Sequence, residues 1–290
     1  MRPFATSCWL VLLALLPVHA LAEELPTLRD TTSVRSAGMG DAVRGFAGSS
    51  EALLVQPAGI AATVRFNGDL MAMFEPAYDY RVLAAASIDS KLNAKESFPL
   101  AGGAGYYNYT SGEGEAERHG SVVVLGLGLP LYPETVFVGA TGKYLRLGGA
   151  VEASAVTLDA GAMVKLFRLL SVGAAGYNLI NVYNAEARRA WGFGAAVGDD
   201  RLFHVDFDLQ LDRSLSTGEN VLTYRAGAEY LIAEVVMPRV GYVHDNFRDV
   251  RKVTAGVSVL FGPMAVEAAY QHALGSKGRY FAIGLRLLDN

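Results

Sequence analysis

The chain has 290 residues, of which 51% are hydrophobic and 19% charged, and its formal net charge is −4. An acidic chain of this kind gives no electrostatic reason to expect nucleic acid as a partner. No segment of the chain supplies the roughly 18 consecutive apolar residues that a membrane helix requires.

The first 22 residues have the layout of a secretory signal peptide. An arginine precedes an apolar run over 8–16, a proline ends that run, and the small-x-small cleavage site 20–22 follows. The alternative is a short N-terminal anchor, but the run is too short to cross a bilayer. Cleavage would remove Cys8, the single cysteine, so we predict an exported protein without disulfides or thiol chemistry.

Residues 23–63 form a segment without regular alternation of polarity. The stretch SAGMGDAVRGFAGSSEALLVQPAGIAA is rich in small residues, and its piece Ser50–Val55 is compatible with a short helix that Pro57 would end. Such a segment has no place in a sheet, so we predict that it either plugs the interior of the domain that follows or hangs below it. The alternative is a disordered leader, against which its compact, apolar character argues.

Residues 64–290 repeat one pattern, in which about ten residues alternate in polarity and a turn follows. Because strands alternate faces with a period of two, each run sorts into two faces. In LFHVDFDLQL (202–211) one face is apolar and the other holds His204, Asp206 and Asp208. The runs lie near 64–74, 79–89, 98–110, 119–129, 135–146, 153–166, 168–179, 188–198, 201–212, 221–232, 235–245, 250–261, 264–274 and 278–288. They predict an all-β, antiparallel barrel of about fourteen strands, or of twelve if runs merge.

Two closed architectures fit this pattern, a soluble barrel that buries its apolar face and a membrane barrel that turns it toward lipid. Export, a run length that suits a tilted membrane strand, and a polar face rich in glycine and alanine favour the membrane barrel. From the fourth run on, short links such as GDD alternate with longer ones such as SLSTGEN, as in bacterial outer-membrane proteins. Tyrosines near the run ends predict a girdle at the membrane interface. They are Tyr80, Tyr144, Tyr230, Tyr242 and Tyr270. We therefore predict a transmembrane β-barrel of the bacterial outer membrane, in contact with the lipid bilayer.

The N-terminal segment resembles the signature of the FadL-type outer-membrane transporters, a superfamily that also includes the PorV-type barrels. Family members typically read GMGGA and then NPAG, and the corresponding residues here are Gly38, Gly40, Gln56, Pro57, Ala58 and Gly59. The resemblance implies a fourteen-stranded barrel whose lumen the segment closes as a hatch. Gln56 stands where asparagine is usual, and Asp41 where a second glycine is common. The chain is also shorter than the fatty-acid transporters, so its outer loops are reduced, which argues against long-chain fatty acids as substrates.

No sequence motif indicates catalysis, a cofactor or a metal site. The chain has no G-x-x-x-x-G-K-[ST], G-x-S-x-G or H-E-x-x-H motif, and its glycines at 192, 194 and 198 misspace the dinucleotide fingerprint. We therefore predict that the protein is not an enzyme.

Charged residues recur on the face predicted to line the lumen. Beside His204, Asp206 and Asp208 they are Arg225, Glu229, Arg239, Lys252, Glu267 and Arg286. Opposite residues on neighbouring strands lie about 5 Å apart, so these groups can neutralise one another and avoid the cost of an isolated buried charge. For the 204–208 stretch, Arg225 and Arg239 are the first candidate partners. A proton or ion path and a catalytic or metal site are the alternatives.

A glycine cluster interrupts the third run, just before four residues that include three tyrosines. It consists of Gly102, Gly103 and Gly105. Glycine clusters in strands often mark bulges or bends. In the resembled transporters a kink in an early strand opens a lateral exit from lumen to bilayer, which implies that role here. The alternative is a locally poor strand near the rim.

These observations predict passive uptake of small hydrophobic compounds, or of a detergent-like lipid, through lumen and hatch. The alternative is a non-transporting PorV-like barrel that acts as a docking or assembly partner for secreted or surface proteins. A transporter needs a continuous apolar cavity from the outer face to the hatch. A docking barrel is expected to have a filled lumen and an exposed loop or rim surface.

Overall fold

The computed structural model describes residues 30–62, 66–90, 99–150, 152–167, 169–180, 182, 187–199, 202–213 and 220–289. The signal peptide predicted for 1–22 lies outside these residues, as do both ends of the segment predicted for 23–63. Among the described helices, none has the length and apolar character to span a bilayer.

Within these residues, fourteen strands form one closed antiparallel barrel, in which each strand pairs with its neighbours in sequence and β1 closes on β14. The strands are β1 (Phe66–Glu75), β2 (Tyr80–Asp89), β3 (Ala101–Ser111), β4 (Arg118–Tyr132), β5 (Val136–Gly149), β6 (Ala153–Leu166), β7 (Leu170–Tyr177), β8 (Ala190–Asp199), β9 (Phe203–Arg213), β10 (Asn220–Tyr230), β11 (Val236–Asp245), β12 (Val250–Phe261), β13 (Met264–Leu274) and β14 (Arg279–Asp289). The prediction of a barrel with about fourteen strands is confirmed.

The two faces of the strands are distributed as in a membrane barrel. In β9, Val205 and Phe207 are 54% and 50% exposed, whereas His204, Asp206 and Asp208 are at most 6% exposed. Apolar side chains therefore face outward and polar side chains inward, which is the inverse of a soluble barrel.

The barrel has two distinct ends, which we call the terminal end, where β1 begins and β14 ends, and the loop end opposite. At the terminal end most connections are short, namely 133–135, 167–169, 200–202, 231–235 and 262–263, but 90–100 is long. At the loop end the longer connections are 112–117, 178–189 and 214–219, while 76–79, 150–152, 246–249 and 275–278 are short. The expected alternation of short and long connections is therefore only partial.

One tyrosine of the predicted girdle faces the other way. Tyr144, Tyr230 and Tyr242 are exposed on the outer face, but Tyr80 is fully buried in the lumen. Its hydroxyl lies 3.0 Å from the Thr31 hydroxyl. Placing Tyr80 in the girdle was wrong, because the more apolar face of β2, with Tyr80, Val82 and Ile88, packs inside the lumen, while Arg81 and Asp89 lie on the outer face.

The glycine cluster of β3 does not break the sheet. β3 pairs with β2 and β4 through Gly102–Gly105 without a register shift, so the predicted interruption is absent from the hydrogen-bond ladder. A Cβ atom at Gly103 would lie 3.0 Å from Leu53 Cδ2 and 2.8 Å from the Ser87 carbonyl oxygen. This glycine therefore leaves room for the N-terminal segment, and a lateral exit here stays a prediction.

Candidate functional site

Residues 30–62, which we call the N-terminal segment, lie inside the barrel and are almost entirely buried. They form α1 (Val34–Gly38), a 3₁₀ turn (Ser50–Leu53) and α2 (Gly59–Ala62). The Ser33 side chain caps α1 by accepting a hydrogen bond from the Ser36 amide. A short, small-residue segment can follow the lumen closely because few of its side chains need space.

Glycines on the inner face of the strands allow the segment's backbone to approach. A Cβ atom at Gly139 would lie 2.1 Å from the Pro57 carbonyl oxygen, and one at Gly227 would lie 2.3 Å from the Met39 carbonyl oxygen. Wall glycines whose Cβ atom would collide with the segment's backbone in this way include Gly128, Gly139, Gly173, Gly194, Gly227 and Gly241. The Gln56 side chain of the signature occupies the space over Gly161 and Gly173.

Arg35 forms one ion pair within the segment and another with the barrel wall. Its Nη1 lies 2.6 Å from Glu51 Oε1, and its Nη2 lies 2.6 Å from Glu229 Oε1 on β10. Burial by itself would raise the pKa of Glu51, but the charges of Arg35 and Arg286 outweigh it and lower that pKa. Glu51 is therefore ionised where it meets the guanidinium group.

From Glu229 the ion pairs continue around the lumen. Arg239 Nε lies 2.8 Å from Glu229 Oε2, and its Nη1 lies 3.1 Å from Glu267 Oε1. Arg286 then lies 3.0 Å from Glu267 Oε2 and 2.8 Å from Asp69 Oδ1.

Asp69 closes the series, because it accepts a hydrogen bond from the Ser50 hydroxyl. Ser50 and Glu51 are adjacent in the 3₁₀ turn, so the series of contacts begins and ends there. We call this closed series the ion-pair circuit. Every member has an opposite charge or a hydrogen bond, as buried charges require.

A second anchor holds the segment at β9. Asp208 accepts hydrogen bonds from the backbone amides of Val43 and Arg44, each at 3.0 Å, and from Arg44 Nη1 at 3.1 Å. Arg44 also donates to the Tyr177 hydroxyl at 2.7 Å and to Gln210 Oε1 at 2.6 Å.

The structure thus places the residues of the predicted polar network in two separate groups. Glu229, Arg239, Glu267 and Arg286 meet in the ion-pair circuit, whereas the 204–208 stretch contacts the segment separately. Arg239, expected to neutralise that stretch, is bound to two glutamates of other strands instead. Arg225 lies directly opposite Asp208 in the sheet, as the strand order implies.

His204 and Asp206 have different environments although they are two residues apart. The His204 ring stacks on Phe46 of the segment, with centroids 4.3 Å apart. Asp206 is 1% exposed, and in the part of the chain that the structure describes neither of its oxygens has a hydrogen-bond partner. Of the two carboxylates on this stretch of β9, Asp208 therefore anchors the segment by hydrogen bonds and Asp206 does not.

Sequence reasoning missed Arg35, Arg44, Glu51 and Asp69. The signal was present, because two arginines, two aspartates and a glutamate stand among residues 30–62, which are otherwise uncharged. If such a segment enters a lumen, each of its charges needs a partner there. The wall pair Lys143–Asp159, at 2.8 Å, was missed as well.

Substitutions on β9 should separate these two carboxylates. Asp208→Asn is expected to weaken docking of the segment by about 2 kcal/mol, because Arg44 loses its charged partner and the two amides keep a poorer acceptor. Asp206→Asn is expected to change docking little, since no hydrogen bond is lost. Hydrogen exchange of the Val43 and Arg44 amides measures both effects, and equal protection in the two variants would contradict this assignment.

A cavity of about 130 Å³ lies on the loop-end side of the segment. Its lining is mostly polar and charged and includes Arg44, Lys143, Asn178, Arg188, Gln210, Asp212, Arg225, Asp245, Arg248 and Lys252. Arg248 closes one side by a two-fold contact with Asp30, at 2.6 and 2.8 Å.

The opposite half of the lumen is apolar. We call it the apolar wall, and it consists of Met73, Tyr80, Val82, Ile88, Tyr107, Tyr109, Val122, Val124, Leu145 and Leu147. It extends from the loop end, at Tyr80 and Tyr109, to the terminal end, at Ile88. Leu53 and Ile60 of the segment pack against it. All these side chains are buried, so this half of the lumen is filled.

The described residues contain no group of three or more His, Cys, Asp or Glu side chains that could hold a metal ion. The site is therefore a lumen with a charged half and an apolar half, and the segment lies between them.

Several solved outer-membrane barrels share this fold. The Ralstonia pickettii toluene transporter TbuX superimposes with a TM-score of 0.61 at 13% sequence identity, over 88% of this chain and 97% of that one. The monoaromatic hydrocarbon channel CymD gives 0.57 at 13% identity, over 89% and 96%. A Pseudomonas aeruginosa FadL homologue gives 0.57 at 11% identity, over 91% and 97%.

No family model and no curated protein sequence matches the chain. The fold is that of a FadL-type outer-membrane barrel, and the resemblance noted in the sequence is confirmed at the level of fold.

Proposed function

We propose that this protein lets small hydrophobic compounds cross the bacterial outer membrane passively, with the N-terminal segment as its hatch. The observation that supports this proposal is the apolar wall, which is continuous from the loop end to the terminal end. A hydrophobic compound gains free energy by replacing water along such a surface, in proportion to the apolar area that it buries.

Passage requires part of the hatch to leave the wall. The segment's ion pairs lie on the charged half of the lumen, through Arg35 and Arg44, whereas Leu53 and Ile60 make apolar contacts on the other half. Movement of the 3₁₀ turn and α2, which also breaks the Arg35–Glu51 and Ser50–Asp69 contacts, would uncover the apolar wall while the Arg44 anchor stays in place. In this proposal the terminal end faces the periplasm and the loop end faces outward, because the short turns of bacterial membrane barrels lie on the periplasmic side.

A second candidate is a docking or assembly barrel that transports nothing. The observation that favours it is the filled lumen, since Tyr80, Tyr107 and Tyr109 are each at most 1% exposed. In that case the segment would be a permanent part of the core.

A reversible disulfide lock tests the hatch. A Cβ atom at Gly128 on β4 would lie 3.0 Å from Ala61 Cβ on α2, close to the separation of about 3.5–4.5 Å in disulfides. With Cys8 replaced by serine, the Ala61→Cys/Gly128→Cys protein is expected to lose uptake of a labelled monoaromatic hydrocarbon into proteoliposomes when oxidised and to regain it on reduction.

The single-cysteine proteins are the matched controls and should transport under both conditions. Deletion of residues 23–60 should raise the flux. Absence of protein-dependent flux in the wild type, the reduced double variant and the deletion form would contradict uptake and favour the docking barrel.

A further inference from the structure

A band of basic side chains lies on the outer face of the barrel at the loop end, over β11 to β14 and β2. Its members are His244, Arg251, His272, Arg279 and Arg81. Each stands two residues from an exposed apolar side chain of the same strand, such as Val253 beside Arg251 and Phe281 beside Arg279, and so points toward the membrane rather than into the lumen.

The register of the sheet brings these residues together. His244 is directly opposite Arg251, and His272 is directly opposite Arg279. Arg81 stands opposite Phe74, which is in turn opposite Phe281 on β14. Side chains at opposite positions lie about 5 Å apart and diagonal ones about 7–8 Å apart. Arg251 stands opposite Leu274, so it is diagonal to His272, and the band is continuous from β11 to β14. Arg81 is separated from these residues by β1, which contributes Phe74 instead of a basic residue.

An aromatic layer lies next to the band, two residues closer to the middle of the barrel than His272 and Arg279 and level with Arg81. The rings of Phe74 and Phe281 are 5.5 Å apart, and those of Tyr270 and Phe281 are 5.0 Å apart. The Tyr270 hydroxyl lies 3.2 Å from His272 Nδ1, which joins the two layers. Aromatic side chains mark the depth at which the hydrocarbon of a bilayer meets its headgroups, so the basic band is at the depth of the headgroups.

The charge of the band is only partly compensated. Arg81 pairs with Asp79 at 2.5 Å, in a contact where its own side chain is 71% exposed. Arg279 donates to backbone carbonyls of its own turn, at Ser276 and Gly278. Neither contact uses the full set of guanidinium donors, which match the oxygens of a phosphate group.

We propose that this band binds the headgroup of a phosphorylated lipid in the leaflet at the loop end. The occupant is a lipid because the band faces the bilayer next to an aromatic layer. Its headgroup carries phosphate because planar guanidinium groups bind phosphate oxygens in pairs and because basic residues near a membrane surface attract anionic lipids.

The test uses the full chain in detergent with fluorescent dioleoyl phosphatidic acid as the probe. Dioleoylglycerol, which has the same acyl chains without the phosphate, measures binding through the chains alone. Arg251→Gln/Arg279→Gln is expected to lower the affinity for phosphatidic acid about tenfold and to leave the affinity for dioleoylglycerol unchanged. Refolding of each variant is checked by heat-modifiable electrophoresis, since both positions are on the outer surface.

Arg146→Gln/Arg213→Gln is the matched control, because these arginines also face outward near the loop end, on β5 and β9. It should keep wild-type affinity. An equal loss in both double variants would mean unspecific attraction and would overturn the site. Equal binding of dioleoylglycerol, or displacement of the probe by millimolar inorganic phosphate, would overturn the assignment of a phosphorylated lipid.

Discussion

Arg35→Ala is expected to weaken docking of the N-terminal segment in the lumen by about 3–5 kcal/mol, the cost of removing one partner from a buried ion pair. The substitution leaves Glu51 and Glu229 as buried carboxylates without the guanidinium group that joins them. Labelling of an Ala37→Cys reporter by maleimide, in protein with Cys8 replaced by serine, measures the release, because position 37 is fully buried while the segment is docked.

Labelling of such a buried cysteine depends on transient opening. A loss of 3 kcal/mol in docking free energy should therefore raise the labelling rate about 100-fold. The matched control is Arg81→Ala, which removes an exposed ion pair with Asp79 and should change the rate by less than about twofold. An unchanged rate in the Arg35→Ala protein would mean that the ion-pair circuit does not hold the segment.

Gly139→Val is expected to displace the segment by steric overlap, at a cost of about 3 kcal/mol, the upper part of the range for overpacked sites. A Cβ atom at this position would lie 2.1 Å from the carbonyl oxygen and 2.4 Å from the carbonyl carbon of Pro57. These are backbone atoms, so no side-chain rotation can relieve the overlap. A maleimide reporter next to Pro57, Ala58→Cys in protein with Cys8 replaced by serine, measures the displacement, because position 58 is fully buried while the segment is docked.

Gly142→Val on the same strand is the matched control. A Cβ atom there has nothing within 4 Å and faces outward, so valine should leave the labelling rate unchanged and favour the strand slightly. If both variants label at the wild-type rate, the inner-face glycines are not needed for docking. If both label faster, the effect belongs to the strand rather than to the segment.

These two substitutions act on different parts of the N-terminal segment. Arg35 belongs to the ion pairs of the charged half, while Gly139 faces Pro57, which precedes α2. The proposed uptake requires the 3₁₀ turn and α2 to move. Gly139→Val should therefore raise the flux of a hydrophobic compound even if the Arg44 anchor remains intact, and this distinguishes a hatch from a permanent core element.

The sequence by itself determined the strands and, where one face of a strand is polar and charged as in β9, which face lines the lumen. Successive side chains of a strand point to opposite faces, so period-two polarity is a local property that needs no knowledge of the fold. All fourteen runs correspond to strands, and in β9 the polar residues 204, 206 and 208 face the lumen as predicted. The signature around Gly38 and Gln56 likewise indicated the FadL-type fold.

Only the tertiary structure decided which groups meet inside the lumen. Period-two polarity assigns a face but not the residue across from it, and Asp208 and Arg44 are separated by 164 positions in the chain. On β2 the pattern indicated the wrong face, because the apolar side chains of Tyr80, Val82 and Ile88 pack inside the lumen. The path of the N-terminal segment assigns these partners, and that path depends on contacts with most strands of the barrel at once, which no local pattern records.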